Sequence, residues 1–280
     1  MTAPLVSVRD LRVRHRTAGL FGPARVTTAV DGVSFDVMRG ETLALVGESG
    51  CGKTTTAQAA MRMVPATAGA IRFRGRDITG ASQRDMRPIR REMQLIFQDP
   101  YESLDPRFRV RQLVAEPLEI HGLDARDARV RAALERAGLT PPELYLDRYP
   151  HELSGGQRQR VSIAAALALE PTLLLADEPV SMLDVSVRAG ILGLLDELRR
   201  GGLGILMITH DLSTAAHYAD RICVMYLGRI VEEGPAPDVI ANPRHPYTQA
   251  LVSVVPQPDP ERTTEPRILQ GETPNPVDIP

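Results

Sequence analysis

Apolar and polar positions along this chain fall into short alternating runs, then helical runs, then apolar runs alternating with helical ones. Val6 to Val13 alternates at Val6, Val8, Leu11 and Val13, and Val30 to Val37 alternates around Asp31-Gly32, which is the period of half-buried strands. The Gly- and Pro-containing stretch Thr17 to Arg25 reads as a loop between them. Glu41 to Val46 predicts a buried strand. A Gly-rich turn follows, then a helical run from Thr54 to Met63 that Pro65 is expected to stop. Ile71 to Arg76 predicts another strand in a surface lobe, and Met93 to Phe97 a core strand. From Gln98 to Arg160 the texture becomes polar and helical, as in Asp127 to Ala137 ending at Gly138, which predicts an inserted helical lobe. Thr172 to Ala176 and Gly204 to Thr209 predict strands on either side of a helix, Val187 to Arg200, closed by Gly201-Gly202. Strand, helix, strand at that spacing is a βαβ unit and implies a parallel sheet. Ile222 to Val231 predicts a hairpin turning at Gly228, and the dense prolines from Pro256 onward predict an extended tail.

Composition narrows the class. The 280 residues are 43% hydrophobic and 24% charged, a globular balance long enough for a sizeable core. Aromatics are 4% and Trp is absent, so stacking platforms for bases are not expected. Net charge is −2 with no basic block, which argues against a nucleic-acid partner. No apolar run approaches the ~20 residues of a membrane helix, and Met1 to Asp10 has no signal-peptide pattern, so neither membrane crossing nor export is expected. Cys51 and Cys223 lie far apart and make no metal pattern, which suits a reducing cytoplasm. Of the 33 Lys and Arg residues a single one, Lys53, is lysine. Where any positive charge would serve, this sequence has Arg. Lys53 is therefore expected where a compact ammonium is required and a planar guanidinium does not fit.

Its neighbours give that requirement a chemistry. Gly47-Glu-Ser-Gly-Cys-Gly-Lys53-Thr54 fits G-x-x-x-x-G-K-[ST], follows a strand and opens a helix. Gly47, Gly50 and Gly52 let the backbone bend its N–H groups toward phosphate oxygens, and the helix adds its positive dipole end. Lys53 would reach the β- and γ-phosphates, and the Thr54 hydroxyl would take Mg²⁺. Leu173-Leu-Leu-Ala-Asp177-Glu178 is an apolar strand ending in two acids. Alone, such acids would serve the dipole of a following helix. On a chain with a phosphate loop, Asp177 suits Mg²⁺ and Glu178 the orientation or deprotonation of the attacking water.

Leu153-Ser154-Gly155-Gly156-Gln157 precedes the apolar helical run Val161 to Leu169. A serine and two glycines at a helix start form either a flexible N-cap or a second anion site. The pentapeptide resembles the signature motif of the ABC (ATP-binding cassette) ATPase family letter for letter. The remaining family pattern follows in order over about residues 5–255. Gln98, after Phe97, matches the glutamine that links Mg²⁺ and water to the membrane subunits. Ser181-Met-Leu-Asp184 resembles the D-loop, and His210, after Ile-Leu-Met-Ile-Thr209, matches the switch histidine at the γ-phosphate. The resemblance implies an α/β fold with a P-loop NTPase (RecA-like) core and parallel sheet, an N-terminal antiparallel β lobe and an inserted α-helical signature lobe. It sets an ATPase domain at 1–255, with the lobe at about 98–160, and a proline-rich tail at 256–280.

The resemblance implies ATP and Mg²⁺ as ligands. It assigns catalysis to Glu178, His210 and Gln98, and the metal to Thr54, Gln98 and Asp177. Nucleotide contacts fall to Gly47, Glu48, Ser49, Gly50, Cys51, Gly52, Lys53, Thr54, Thr55, Gln98, Ser154, Gly155, Gly156, Gln157 and Asp184. Two subunits would sandwich ATP head to tail, each phosphate loop facing the partner's Ser-Gly-Gly segment. Where members carry an adenine-stacking aromatic near the end of the first strand, this chain has His15, with Phe21 as a substitute in the following stretch. Cys51 is expected to be a small filler whose place at a helix N-terminus lowers its pKa.

Gln98-Asp-Pro-Tyr-Glu-Ser-Leu-Asp-Pro106, Asn242-Pro-Arg-His-Pro-Tyr-Thr-Gln-Ala-Leu251 and Gly271-Glu-Thr-Pro-Asn-Pro276 look like the oligopeptide/dipeptide importer subfamily, whose members also serve nickel, glutathione and oligosaccharide importers. That implies two permease subunits, met by the lobe around Tyr101 to Leu104, a second and different ATPase subunit, and indirectly an extracytoplasmic binding protein. The chain would lie peripherally on the inner face of the cell membrane. No cysteine follows Cys223, so the iron–sulfur segment of some members is not expected. A soluble, non-transport ABC ATPase would show paired cassettes or a long coiled-coil insertion, and a non-hydrolysing cassette would show decayed acids; neither pattern is present.

Overall fold

A computed structural model describes residues 3–19 and 22–254; for 16–19, 22–25, 101 and 102 it describes the backbone only. Phe21 and the stretch from Pro256 lie outside the described residues. The chain forms two compact units, residues 83–205 and the remainder.

The first unit opens with β1 (Val6–Gly19), β2 (Gly22–Val37), β3 (Thr42–Val46), α1 (Lys53–Ala60), β4 (Ala68–Phe73) and β5 (Arg76–Asp77). Strands β2, β1, β4 and β5 make an antiparallel sheet in that order. The apolar pattern of β1 changes phase between Val8 and Leu11 because the ladder bulges there, with Asp10 at φ 46. The extra residue returns Leu11 and Val13 to the buried face, where both are fully covered.

Three expectations need correction. The described residues of the stretch Thr17 to Arg25 are paired strand: Arg16 pairs with Val26, Thr17 with Arg25 and Gly19 with Gly22, so the ladder runs on to glycines that the sequence alone marks as breakers. The helix after the Gly-rich turn ends at Ala60, because Arg62 adopts a left-handed φ of 56, and Pro65 comes too late to stop it. The run Ile71 to Arg76 is broken by a turn at Arg74-Gly75, both at positive φ, which separates β4 from β5.

The second unit holds α2 (Gln83–Glu92), β6 (Met93–Ile96), α3 (Pro100–Ser103), α4 (Val110–Ile120), α5 (Arg126–Arg136), two 3-10 turns, α6 (Gly155–Leu167), β7 (Leu173–Asp177) and α7 (Val185–Arg200). β6 and β7 pair in parallel, Met93 to Ile96 against Leu173 to Ala176. α5 buries Val130, Ala133 and Leu134 at helical spacing, and α7 buries Ile191, Leu192, Leu194 and Leu195.

β8 (Gly204–Thr209) leads back into the first unit, which continues with α8 (Leu212–Tyr218), β9 (Arg221–Tyr226), β10 (Arg229–Pro235), α9 (Ala236–Ala241) and α10 (Pro246–Ser253). There β10, β9, β3 and β8 lie in that order. β3 runs parallel to β9, and β9 turns into antiparallel β10 at Leu227-Gly228. All five positions of β3 are buried, which is why this strand reads as a continuous apolar run. Each Leu or Val so covered stabilises the fold by roughly 1.5–3 kcal/mol.

Candidate functional site

β3 ends at Val46 in the interior, and the chain must turn outward within six residues to start α1 at Lys53. The turn is possible only with glycine at two positions. A Cβ on Gly47 would lie 2.2 Å from the Met225 carbonyl oxygen, and one on Gly52 2.3 Å from that of Ala29. Gly52 also sits at φ 104 as the N-cap of α1 and offers no capping side chain. Gly228 N–H donates to the Cys51 carbonyl oxygen at 2.9 Å, holding the loop from the β9–β10 turn.

Lys53 is 5% exposed. Its Nζ donates to the carbonyl oxygens of Gly47 at 2.6 Å and Glu48 at 2.8 Å, with Cys51 Sγ at 3.8 Å. A buried ammonium demands such partners, and here the loop curls around its own lysine. Glu48, Ser49, Gly50 and Thr54 are exposed and Thr55 is half-buried. The residue types fit a nucleotide phosphate: a concave backbone, an uncapped helix start and a fixed cation. His15 is exposed on β1, opposite Thr27. His210 is exposed just past β8. Asp211 follows it and caps α8, accepting from Ser213 N–H at 2.9 Å. Burial pushes the Asp211 carboxyl up, but hydrogen bonds from Ser213 and Thr214 outweigh it and hold the group below its ordinary value.

Cys51 contradicts its sequence-based expectation. The thiol pKa is raised, because burial outweighs the attraction of Lys53 and the hydrogen bonds that would lower it. A helix N-terminus and a nearby ammonium favour thiolate, but here the loss of solvent on burial outweighs both. Cys51 and the fully buried Cys223, likewise raised by burial, are both expected to react with iodoacetamide at pH 8 at least ~10-fold more slowly than a free thiol. Peptide mass spectrometry over a time course measures this; labelling of Cys51 at the free-thiol rate would contradict its burial.

In the second unit, β7 carries Asp177 to a half-buried position at its end. Glu178 follows at φ 45, a left-handed conformation that costs a non-glycine residue about 1 kcal/mol or more. The turn it makes lets its carbonyl oxygen accept from both N–H and Oγ of Ser181, and presents its carboxylate to Gln98. Gln98 Nε2 donates to Glu178 Oε2 at 3.0 Å, so two residues assigned to catalysis are in direct contact. Phe97, Gln98, Asp99, Ser103 and Asp177 line a cavity of about 560 Å³. Its oxygen-rich rim of amide, carboxylate and hydroxyl suits Mg²⁺, which keeps waters and phosphate ligands.

Ser154 caps α6. Its Oγ accepts from Gln157 N–H at 3.3 Å, and Gln157 Oε1 accepts from Ser154 N–H at 3.0 Å. The helix-cap reading holds: the reciprocal cap fixes the helix start, and Ser154 there is exposed. Gly156 is packed so closely that a Cβ would lie 2.4 Å from Val187 Cγ1 of α7. Asp184 is exposed at the N-cap of α7, flanked by the exposed apolar side chains of Met182 and Val185.

Sequence reading missed Ala29, Met225 and Gly228, whose backbones shape the loop, and Tyr247, whose hydroxyl accepts the Glu48 N–H at 2.9 Å. Tyr247 stands in a segment legible as a subfamily marker, but nothing local shows what it touches.

Residues 30–181 match the family described as ABC transporter, and residues 231–280 match the oligopeptide/dipeptide transporter C-terminal region. The chain is 47% identical over 281 residues to a putative peptide import ATP-binding protein of Brucella ovis, covering 99% of this chain and 86% of that one. It is 50% identical over 275 residues to the glutathione import ATP-binding protein GsiA of Salmonella paratyphi A, covering 96% of this chain and 44% of that one. Among solved structures, the ATP-binding cassette MJ0796, a dimer in a post-hydrolysis state with ADP and Pi, superposes with a TM-score of 0.72 at 27% identity, covering 82% of this chain and 98% of that one.

Proposed function

The chain belongs to the ABC transporter family, and from that premise we propose that it is the ATPase subunit that powers an importer of oligopeptides or dipeptides. The observation that carries the peptide assignment is the match of residues 231–280 to the oligopeptide/dipeptide transporter C-terminal region. The likeness to a glutathione import protein stays within that class, since glutathione is itself a short peptide.

Lys53 and the start of α1 bind the β- and γ-phosphates, and Ser154, Gly155, Gly156 and Gln157 face the nucleotide held by a second ATPase subunit. Glu178, held by Gln98, takes the proton of the water whose oxygen attacks the γ-phosphorus as the bond to the ADP oxygen breaks. His210 contacts the γ-phosphate. Thr54, Gln98 and Asp177 would hold Mg²⁺, which neutralises charge developing on the phosphate oxygens. The exposed Met182 and Val185 beside Asp184 support a protein contact at that segment, as a subunit sandwich requires. His15 serves the adenine.

The partners in this reading are two permeases, a second and different ATPase subunit and, beyond the membrane, a substrate-binding protein. No helix among the described residues is long and apolar enough to cross a membrane; the permeases hold the chain on the inner face. The exposed Phe97 and Phe108 flank the segment, around 101–104 within the lobe at 98–160, that meets a permease loop.

Reconstitution in vesicles tests this. The isolated chain is expected to be mostly monomeric with weak ATPase activity. With two permeases and a second ATPase subunit, hydrolysis should rise when the binding protein delivers a short peptide, and cross-linkers placed near Leu104 should capture a permease. Stimulation by a nickel complex or an oligosaccharide but not by any peptide would move the assignment to another substrate; capture of no permease would refute the partner.

A further inference from the structure

We propose that Tyr247 is a positioning residue for the phosphate loop, acting through Lys53; this rests on the reading of residues 47–54 as the ATP phosphate site. The argument begins with one peptide plane. The carbonyl of Gly47 and the N–H of Glu48 belong to the same rigid unit and point to opposite edges of it. The carbonyl oxygen accepts from Lys53 Nζ at 2.6 Å, and the N–H donates to the Tyr247 hydroxyl at 2.9 Å. Hydrogen bonds on both edges fix the rotation of the plane, and with it the place of the oxygen that holds the ammonium.

Tyr247 is itself firmly held. It is 2% exposed, and its ring packs against that of Tyr226 with centroids 4.4 Å apart. The helix carrying it, α10, is tied down at its start. The Glu232 carboxylate of β10 accepts the N–H groups of Arg244 and His245, each at 2.9 Å, and His245 Nδ1 accepts the Tyr247 N–H at 3.2 Å. A chain of contacts thus runs from β10 through α10 and Tyr247 to the loop and its lysine. Its effect is preorganisation: the loop is already ordered when phosphate arrives, so less ordering is required on binding. An ammonium has three N–H donors, so Lys53 can meet a phosphate oxygen while the Gly47 plane still holds it.

Tyr247→Phe keeps the ring and removes the acceptor. In the assembled transporter the KM for MgATP is expected to rise roughly threefold to tenfold, the range of one hydrogen bond, with kcat within about twofold. A second readout looks at the lysine directly. Because Lys53 is the single lysine, ¹⁵N-lysine labelled at Nζ gives one side-chain ammonium resonance in the full chain. Tyr247→Phe should shift and broaden that signal, whereas a tyrosine that only fills space would leave it unmoved. Glu232→Gln, which weakens the anchor of α10 without touching the loop, should raise KM in the same direction by less, and it carries the test if Tyr247→Phe does not fold. Unchanged KM together with an unchanged ammonium resonance overturns the proposal. Failure of the unmodified chain to bind MgATP would instead overturn the phosphate-site reading on which it stands.

Discussion

Glu178→Gln is expected to bind MgATP as the unmodified chain does and to turn it over ~10²-fold or more slowly, the scale of a positioned general base. The substitution isolates the proton acceptor. A carboxamide has the size of the carboxylate and still offers one oxygen to Gln98 Nε2, the contact seen at 3.0 Å. The turn at Glu178, with φ 45 and its carbonyl oxygen bound to Ser181 N–H and Oγ, depends on backbone and should persist. What is lost is the group that takes the proton. Hydrolysis should stall after binding, and the variant should accumulate as an ATP-bound dimer. Single-turnover hydrolysis in the assembled transporter, alongside nucleotide titration and size-exclusion chromatography, measures all three. Near-normal turnover would remove Glu178 from the mechanism. Loss of ATP binding in step with turnover would make its role structural.

Lys53→Arg should weaken MgATP binding about 10²-fold or more although the charge is kept. The ammonium reaches two carbonyl oxygens from a site that is 5% exposed, inside a turn where even a Cβ on Gly47 or Gly52 would strike neighbouring backbone. A guanidinium is larger and planar, and its fork cannot converge on both oxygens from within that curl. The same residue allows a test without substitution. The single lysine and the N-terminus are the chain's only amines with a chance of forming a Schiff base. Pyridoxal phosphate, drawn by its phosphate to the loop, should label Lys53 slowly, as its burial dictates, and MgATP should suppress that labelling while leaving the N-terminal amine alone. Mass spectrometry of the labelled peptides gives the ratio. Equal labelling of Lys53 with and without MgATP, where binding is independently established, would refute the site.

These expectations draw on features that differ in how they are written into the chain. The phosphate loop, the strand before Asp177 and the capped start of α6 are contiguous in sequence, and each depends on local rules. Glycine is required where a Cβ would strike backbone, apolar residues where a strand is covered on both faces, and Ser with Gln three residues later where a helix start must satisfy its own N–H groups. Those rules operate over a few residues, so the glycine-rich turn before α1, the succession β7, α7, β8 along the chain, and the hairpin at Gly228 were legible beforehand. Local rules also misled. Glycines marked a loop where β1 and β2 in fact stay paired, and a helix N-terminus suggested a reactive thiol at Cys51 where burial raises the pKa instead.

The tertiary structure decided what depends on contacts between distant residues. Gln98 and Glu178 are 80 positions apart, and Glu48 and Tyr247 are 199 apart. No periodicity or spacing encodes such pairs, because a hydrogen bond is specified by where two atoms lie in space, and that follows only from the packing of the elements that carry them. The sequence determined a glycine-rich turn that carries the single lysine and an apolar strand that ends in two acids; packing alone decided that the turn is held from behind by a tyrosine of α10, and that its cysteine is shielded from the solvent that would have made it reactive.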